Sequence, residues 1–442
     1  MSGPAFLGWG GIIRLGLVQT AIGAIVVLTT STMNRVMVVE LALPAALPGA
    51  LVAFHYALQV LRPRLGHGSD AGGRRTPWIV GGMAVLALGG ALAAAATAWM
   101  SVSTAWGIAL ALVAFTLIGL GVGACGTSLL VLLAKRVEPG RRATAATLVW
   151  VMMIGGFALT AGVAGAALDP YSPARLVAVT AAVSVLAFVT TVFAVRGVEP
   201  ATAGPTREAA VAAPPFRQAL AEVWAEPRSR LFTIFVFVSM LAYSAQDLIL
   251  EPFAGIVFGF SPGESTKLSG VQHGGVMAGM ILAAVAGRAG RKAGASAGAT
   301  RAWTTGGCLA SALALVALSL AGLGGPAWPL RTIVFALGVA NGAYAVAAIG
   351  AMMQLAGAGG RREGVRMGLW GAAQALAFGL GGFSGALASD LARLALGSPV
   401  LSYVVVFAAE AALFVAAAVL ALRIFGDEAR APAGAAPALV GG

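Results

Sequence analysis

Charged side chains are scarce in this sequence: Asp, Glu, Lys and Arg make up 10% of its 442 residues, against roughly 25% in an average soluble protein. A chain of this size with so few charges cannot cover a soluble surface. Its mean hydropathy of +0.91 agrees with that exclusion. Lipid is therefore the expected solvent, and lipid leaves helices or closed barrels as the structures that can span it.

Residues and motifs typical of disulfides, metal sites and catalysis are also few. Two cysteines, Cys125 and Cys308, both lie in apolar runs, so a disulfide framework is not expected. Three histidines exclude a His-rich metal cage, and the sixteen acids are scattered, without an Asp-rich magnesium motif. No GxxxxGK[ST] stretch supports a nucleotide site, and no hydrolase or transferase constellation is present. The sequence therefore predicts neither an enzyme nor a nucleotide-binding protein.

Long apolar runs are what the sequence does contain, and their length favours helices over the short alternating strands of a barrel. We predict an all-α membrane protein with twelve transmembrane helices in two pseudo-symmetric six-helix halves. An N-terminal half (1–196) and a C-terminal half (230–425) are joined by a proline-containing linker (197–229), and a disordered tail (426–442) follows. Within the linker, 216–224 could form an amphipathic helix on the membrane surface. The predicted spans are 12–34, 44–62, 77–100, 104–134, 143–167, 174–196, 230–257, 268–287, 302–322, 328–356, 365–388 and 399–424.

The 61 glycines fit this architecture, because small residues let helices approach closely in a bilayer. The pattern Gly119-x-Gly121-x-Gly123 is therefore interpreted as a helix-packing surface rather than a phosphate loop.

The basic residues set the predicted orientation. The net charge is +12, and of the 28 Lys and Arg residues all but five fall on one side of the predicted spans. An excess of basic loops marks the cytoplasmic side, so both termini are predicted to be cytoplasmic. The same charges can contact anionic lipid, which makes a nucleic-acid partner unnecessary. The exceptions are Arg35, Arg175, Lys267, Arg331 and Arg393.

The loop after the second predicted span contains Gly66, Asp70, Gly73, Arg74 and Arg75. Its G-x-x-x-D-x-x-G-R-R spacing resembles the loop signature of the major facilitator superfamily. In such a cytoplasmic gate the acid approaches a helix N-terminus while the arginines bridge neighbouring helix ends. The alternative is an ordinary basic cytoplasmic loop. The matching loop of the second half, 287–292, keeps the basic residues but lacks the acid, so a symmetric gate is in doubt.

Ionisable and amide side chains cost free energy when they are placed inside a membrane span, so their presence there points to function. The first predicted span ends with Asn34-Arg35, and Glu40 follows it. The seventh carries Gln246-Asp247, followed by Glu251. This repetition indicates related halves. It suggests an ion pair between Arg35 and Asp247 across the pseudo-twofold axis. The alternative places all of these residues at the outer membrane interface.

Three further residues lie within apolar runs. His55 and His273 occupy the second and eighth spans, where a neutral imidazole could be an axial ligand for the metal of a macrocycle. Either histidine could instead be a hydrogen-bonded packing residue. Glu410 in the twelfth span needs a partner that the sequence does not identify.

Several of these stretches resemble the PucC family, the bacteriochlorophyll-delivery branch of the major facilitator superfamily. They are 32–41, 66–70, 75–79 and 246–253. The neighbourhood of His55-Tyr56 and Arg62-Pro63-Arg64 is similar to the branch associated with bacteriochlorophyll synthesis genes.

The resemblance implies a membrane assembly factor of the bacterial inner membrane, including photosynthetic intracytoplasmic membrane. Such a protein binds bacteriochlorophyll as cargo and delivers it for insertion into light-harvesting antenna complexes. The implied partners are membrane lipid, antenna polypeptides or a reaction-centre antenna complex, and late bacteriochlorophyll biosynthesis enzymes. Two alternatives stay open: a proton-coupled secondary transporter of a small solute, and a subunit of an enzyme of tetrapyrrole esterification. The implied ligand or cavity residues are Asn34, Arg35, Glu40, His55, Gln246, Asp247, Glu251 and His273, with His55 or His273 facing the pigment magnesium.

Overall fold

The computed structural model describes six stretches of the chain: 6–59, 74–138, 141–199, 216–292, 296–357 and 363–426. In these stretches every regular element is a helix. The prediction of an all-α protein is confirmed. The loop residues Gly66, Asp70 and Gly73 and the tail 427–442 lie outside the described residues.

Six helices form the first half. The N-terminus of α6 shows why one of them begins where it does: Ser172 accepts a hydrogen bond from the Arg175 amide at 3.1 Å, and Pro173 occupies the first helical position. The six are α1 (Trp9–Glu40), α2 (Ala46–Leu58), α3 (Thr76–Met100), α4 (Thr104–Arg136), α5 (Arg142–Ala167) and α6 (Pro173–Val195).

Six helices also form the second half, preceded by a linker helix (Phe216–Ala225) at the position predicted for the amphipathic segment. α7 begins at Pro227, slightly before the predicted residue 230, because proline suits the first turn of a helix. The six are α7 (Pro227–Phe258), α8 (Pro262–Lys292), α9 (Ser296–Gly324), α10 (Leu330–Gly357), α11 (Glu363–Leu396) and α12 (Pro399–Gly426).

In the described stretches, eleven of these helices contain a segment long and apolar enough to cross a membrane. The twelfth, α2, is apolar and has 13 described residues. The protein is therefore a multi-pass membrane protein. The end of the bundle that holds the C-termini of α1 and α7 is called the outer end below, since the charge bias predicts it to face away from the cytoplasm.

Each half has its own hydrophobic core. The first core contains Ile12, Phe115 and Ile118 from α1 and α4 and also takes in Leu248 of α7. The second contains Phe232 and Trp370, whose rings meet edge to face at 4.8 Å. Two cores with few shared residues agree with a two-halved molecule.

Glycines permit the closest helix contacts, as the sequence indicated. An added methyl group at Gly121 of α4 would lie 2.6 Å from the Leu86 amide nitrogen of α3. At the crossing of α8 and α10, a methyl on Gly279 would overlap the carbonyl oxygen of Val339. One on Gly342 would overlap the carbonyl of Val276. The two backbones are therefore in direct contact.

The close contact of α8 and α10 predicts that a single methyl group added at the crossing lowers the stability of the protein. Gly279→Ala should lower the free energy of unfolding by about 1–3 kcal/mol, because the backbones of α8 and α10 would have to separate. Gly274→Ala, on the same helix with open space around its Cα, should leave stability unchanged or slightly raised. Thermal denaturation of both variants in detergent checks this. Equal melting temperatures for the two variants would contradict the direct backbone contact between α8 and α10.

Candidate functional site

The outer third of α1 departs from regular α-helix on both sides of Asn34-Arg35. Leu28–Thr32 and Val36–Glu40 are wound as π-helix, and Met33–Arg35 between them is α-helical. π-Turns widen the backbone and occur often at functional sites. The amide-charge pair singled out in the sequence therefore lies between two unusual turns.

Asn34 and Arg35 join the two halves of the molecule. The Asn34 side-chain amide donates to the carbonyl oxygen of Leu248 in α7 at 2.6 Å. The Arg35 guanidinium, 3% exposed, forms an ion pair with Glu40 and donates to the carbonyl oxygen of Phe260 after α7. These contacts tie the end of α1 to the end of α7.

The predicted ion pair between Arg35 and Asp247 is wrong. Arg35 extends toward the outer end and pairs with Glu40, whose side chain is 35% exposed, because a long cation in a membrane protein directs its charged end toward the interface. Asp247 lies one helical turn nearer the cytoplasmic side than Glu251 and is a neighbour of Gln272 in α8. Of the two acids on α7, Glu251 is the one within the electrostatic reach of Arg35.

Glu251 is a buried carboxyl that lacks hydrogen bonds. It is 2% exposed, and neither oxygen has a hydrogen-bond partner among the described residues. The hydroxyls of Ser265 and Ser269 are near this carboxyl, but neither meets the geometry of a hydrogen bond to it, and that of Ser265 donates to the carbonyl oxygens of Ser261 and Pro262. Such a group can bind a proton or accept a hydrogen bond from a bound molecule.

A second set of buried polar atoms that lack hydrogen bonds to described residues lies on α7, on the cytoplasmic side of Glu251, and on α12. Gln246 is completely buried, and neither end of its amide has a partner in the described stretches. Glu410 of α12 is 2% exposed and also lacks hydrogen bonds to described residues. Its electrostatic neighbour is Asp247. Asp247 is itself a carboxyl and cannot neutralise Glu410, so the described residues supply no partner for Glu410.

The two histidines lie in different surroundings. His55 is 2% exposed and packs its ring against Tyr56 and Phe115, with ring centroids 4.2 and 6.3 Å away. His273 is half-buried where α8 meets α5. Its Nδ1 lies 2.9 Å from the carbonyl oxygen of Ser269, and its ring meets Phe157 edge to face at 5.0 Å. A bond to Nδ1 orients the ring and leaves Nε2 as the ligating atom.

Aromatic side chains flank two of the contacts between the halves, α5 with α8 and α2 with α11. Phe157 of α5 meets His273 of α8, and Phe378 of α11 stacks on Tyr56 of α2 at 5.9 Å. Tyr243 of α7 meets Phe378 of this second pair edge to face, with ring centroids 5.8 Å apart. By these contacts the residue of the first half that corresponds to His273 is Tyr56, the neighbour of His55.

A cavity of about 460 Å³ opens at the outer end, between the α1–α2 connection and the ends of α11 and α12. Asp390, Arg393 and Tyr403 supply its polar lining. None of the sequence-predicted ligand residues borders this cavity, so the predicted residues and the cavity are separate features.

At the opposite end, the predicted gate motif contributes two described residues. Arg74 is exposed, whereas Arg75 is buried. In the described part of the chain, the acid that approaches the start of α3 is Glu199, which follows α6. Its carboxylate accepts hydrogen bonds from the Arg75 and Thr76 amides and the Thr76 hydroxyl at 2.8–2.9 Å. Helix capping therefore comes from the first residues of the linker.

Removing this cap should destabilise the first half. Glu199→Ala should lower the free energy of unfolding by about 1–2 kcal/mol, because two amides and a hydroxyl lose their acceptor at a helix N-terminus. Glu138→Ala, an exposed acid at the same end, is the matched control. Equal midpoints for the two variants in thermal denaturation would show that Glu199 is not the cap.

The fold is major-facilitator-like and resembles that of solved transporters. The D-xylose-proton symporter matches with a TM-score of 0.70 at 13% identity, covering 94% of this chain and 97% of that one. The nucleoside transporter NupG matches with a TM-score of 0.65 at 14% identity, covering 94% and 99%.

The chain belongs to the PUCC family. The family model described as PUCC protein matches residues 32–429. The chain is 54% identical over 420 residues to the bacteriochlorophyll synthase 44.5 kDa chain of Rhodobacter capsulatus, covering 95% of this chain and 96% of that protein. It is 30% identical over 434 residues to protein PucC of the same species, covering 93% and 92%. The resemblance seen in the sequence is confirmed.

Proposed function

We propose that this protein is a membrane assembly factor that binds bacteriochlorophyll and delivers it for insertion into light-harvesting antenna complexes. Family membership carries the proposal: a relative that is 54% identical over nearly the whole chain has a name that refers to bacteriochlorophyll synthesis. The protein then acts in the bacterial inner membrane, including photosynthetic intracytoplasmic membrane, as a carrier and not as an enzyme.

The described side chains suit a large tetrapyrrole. Such a cargo is mostly apolar and needs a few polar anchors and a shielded place between helices. His273 offers an imidazole whose Nδ1 faces a backbone carbonyl and whose ring lies beside Phe157 where the two halves meet. Buried amide and carboxyl atoms on Asn34, Gln246 and Glu251 have no hydrogen-bond partner among the described residues and are available to the polar groups of a cargo.

The partners follow from the cargo. Bacteriochlorophyll is too apolar for water, so it must pass directly between proteins or through lipid. Antenna polypeptides or a reaction-centre antenna complex would receive the pigment, and late bacteriochlorophyll biosynthesis enzymes would supply it. Membrane lipid surrounds the carrier, and its basic loops favour anionic headgroups.

A second candidate is a proton-coupled secondary transporter of a small solute. The buried carboxyls favour it, since Glu251 and Glu410 lie inside spans without hydrogen-bond partners among the described residues. Its fold neighbour, the D-xylose-proton symporter, is a transporter of that kind by name.

A transfer assay tests the first candidate. Purified protein is loaded with bacteriochlorophyll and mixed with antenna polypeptides in detergent micelles, and the near-infrared absorption of the assembled antenna is followed over time. The expected result is faster assembly than with free pigment at the same concentration. Equal rates with and without the protein would overturn delivery, and solute uptake into proteoliposomes driven by a proton gradient would establish the second candidate.

A further inference from the structure

Asp390 binds the start of a helix in the other half. It lies near the outer end of α11, and its two carboxylate oxygens accept hydrogen bonds from the Ala45 and Ala46 amides at 3.0 and 2.8 Å. These amides begin α2. A helix N-terminus carries partial positive charge and unpaired N–H groups, so a carboxylate placed there is stabilised.

Asp169 makes the corresponding contact from the first half. It follows α5 and accepts hydrogen bonds from the Ser261 hydroxyl at 2.8 Å and from the Lys267 ammonium at 3.0 Å, both at the start of α8. A methyl group on Gly263, the second residue of α8, would overlap the Asp169 carboxylate. The absence of a side chain there permits the approach.

The ionisation of Asp169 fits this contact. Burial alone raises the pKa of Asp169, but the hydrogen bonds from Ser261 and Lys267 and the Lys267 charge outweigh it and hold the pKa below its usual value. The carboxylate is therefore charged at neutral pH.

The two contacts are one arrangement that occurs twice. Asp169 follows Phe157 by twelve residues, and Asp390 follows Phe378 by twelve. Phe157 touches α8, the helix that Asp169 binds, and Phe378 touches α2, the helix that Asp390 binds. Each half thus presents a carboxylate to the N-terminus of a helix in the other half. The arrangement is unequal in one respect, because α2 has no lysine or arginine to match Lys267.

We propose that Asp169 and Asp390 are a pair of latches that hold the outer ends of the two halves together. Opening the space between the halves at that end requires α8 to leave α5 and α2 to leave α11, and each movement breaks one latch. The bonds are charge-assisted and cross between the halves, so their loss shifts the balance between closed and open states. The proposal does not depend on which cargo the protein carries.

Distances between spin labels at the outer end test the proposal. Cysteines replace Val102, in the α3–α4 connection, and Leu394, near the end of α11, in a Cys125→Ala/Cys308→Ala background. Both label positions are more than four-fifths exposed, at 84% and 82%. The protein is reconstituted in lipid nanodiscs, and the distance distribution is recorded by pulsed electron paramagnetic resonance.

Each single variant, Asp169→Asn or Asp390→Asn, should raise the population at longer distance about tenfold, because it removes a charge-assisted contact. The double variant should raise it further. Glu138→Gln, a change at an exposed acid at the opposite end of the bundle, is the control and should leave the distance distribution unchanged. Lys267→Gln weakens one latch without altering either acid and should also raise the longer-distance population. A double variant with the distribution of the parent protein would overturn the proposal.

Discussion

Replacing Arg35 by glutamine should lower the free energy of unfolding by about 1.5–3 kcal/mol, the usual contribution of hydrogen bonds made by a charged group, because its partner Glu40 is partly exposed. Arg35 is 2% exposed, and it joins Glu40 in α1 to the carbonyl oxygen of Phe260 after α7. Its charge also acts on buried Glu251. The variant loses both the link between the halves and this nearby positive charge.

Denaturation in mixed detergent micelles measures this loss, and two further variants separate its causes. Arg35→Gln/Glu251→Gln should recover part of the lost stability, because the second change removes the carboxyl that loses its cation. Arg393→Gln removes an exposed arginine at the same end and should have little effect. The interpretation of Arg35 would be contradicted if Arg35→Gln were as stable as Arg393→Gln.

His273→Phe should reduce the bacteriochlorophyll that copurifies with the protein by about tenfold or more, as expected when a metal-ligand contact is lost. The phenylalanine ring can occupy the same place beside Phe157, so the packing of α8 against α5 is retained. The pigment-to-protein ratio after purification in mild detergent gives the measurement.

His55→Phe is the control for this prediction, because His55 packs among Tyr56 and Phe115. It should leave the pigment-to-protein ratio unchanged once the yield of folded protein is taken into account. A loss of pigment in His55→Phe with retention in His273→Phe would reverse the assignment of the ligand.

The helices themselves could be predicted from the sequence, since a bilayer requires long apolar runs and the hydropathy pattern marks them directly. Their ends were harder to predict. Ser261 and Glu264 form a reciprocal cap, in which the Ser261 hydroxyl accepts from the Glu264 amide at 3.1 Å and the Glu264 carboxylate accepts from the Ser261 amide at 3.0 Å. The Ser-x-x-Glu signal was present in the sequence, and it places the start of α8 at Pro262 and not at residue 268.

The residues of the site were easier to predict than their partners. The free-energy cost of burying an ionisable side chain in a membrane was enough to mark Arg35, Asp247 and Glu251 as important. The acid with which Arg35 pairs depends on the direction in which its side chain extends. The spacing of residues in the sequence does not specify that direction. The linker acid Glu199 was missed for a related reason: its three hydrogen bonds are to residues more than 120 positions earlier in the chain.

Asp169 and Asp390 show a limit of a different kind. Each is a single acid near the end of a helix, and neither belongs to a motif. Their shared role depends on α5 crossing to α8 and α11 crossing to α2, which is known only when the two halves are assembled. The equal spacing of each acid from Phe157 or Phe378 is the signal in the sequence that could have linked them.

An absorption spectrum tests pigment binding most directly. The protein is purified in mild detergent from a photosynthetic host whose membranes are replete with bacteriochlorophyll, and its near-infrared spectrum is compared with that of free pigment in the same detergent. A band shifted from the free pigment, and present in proportion to the protein, is the predicted result. A colourless protein from such membranes would contradict the account.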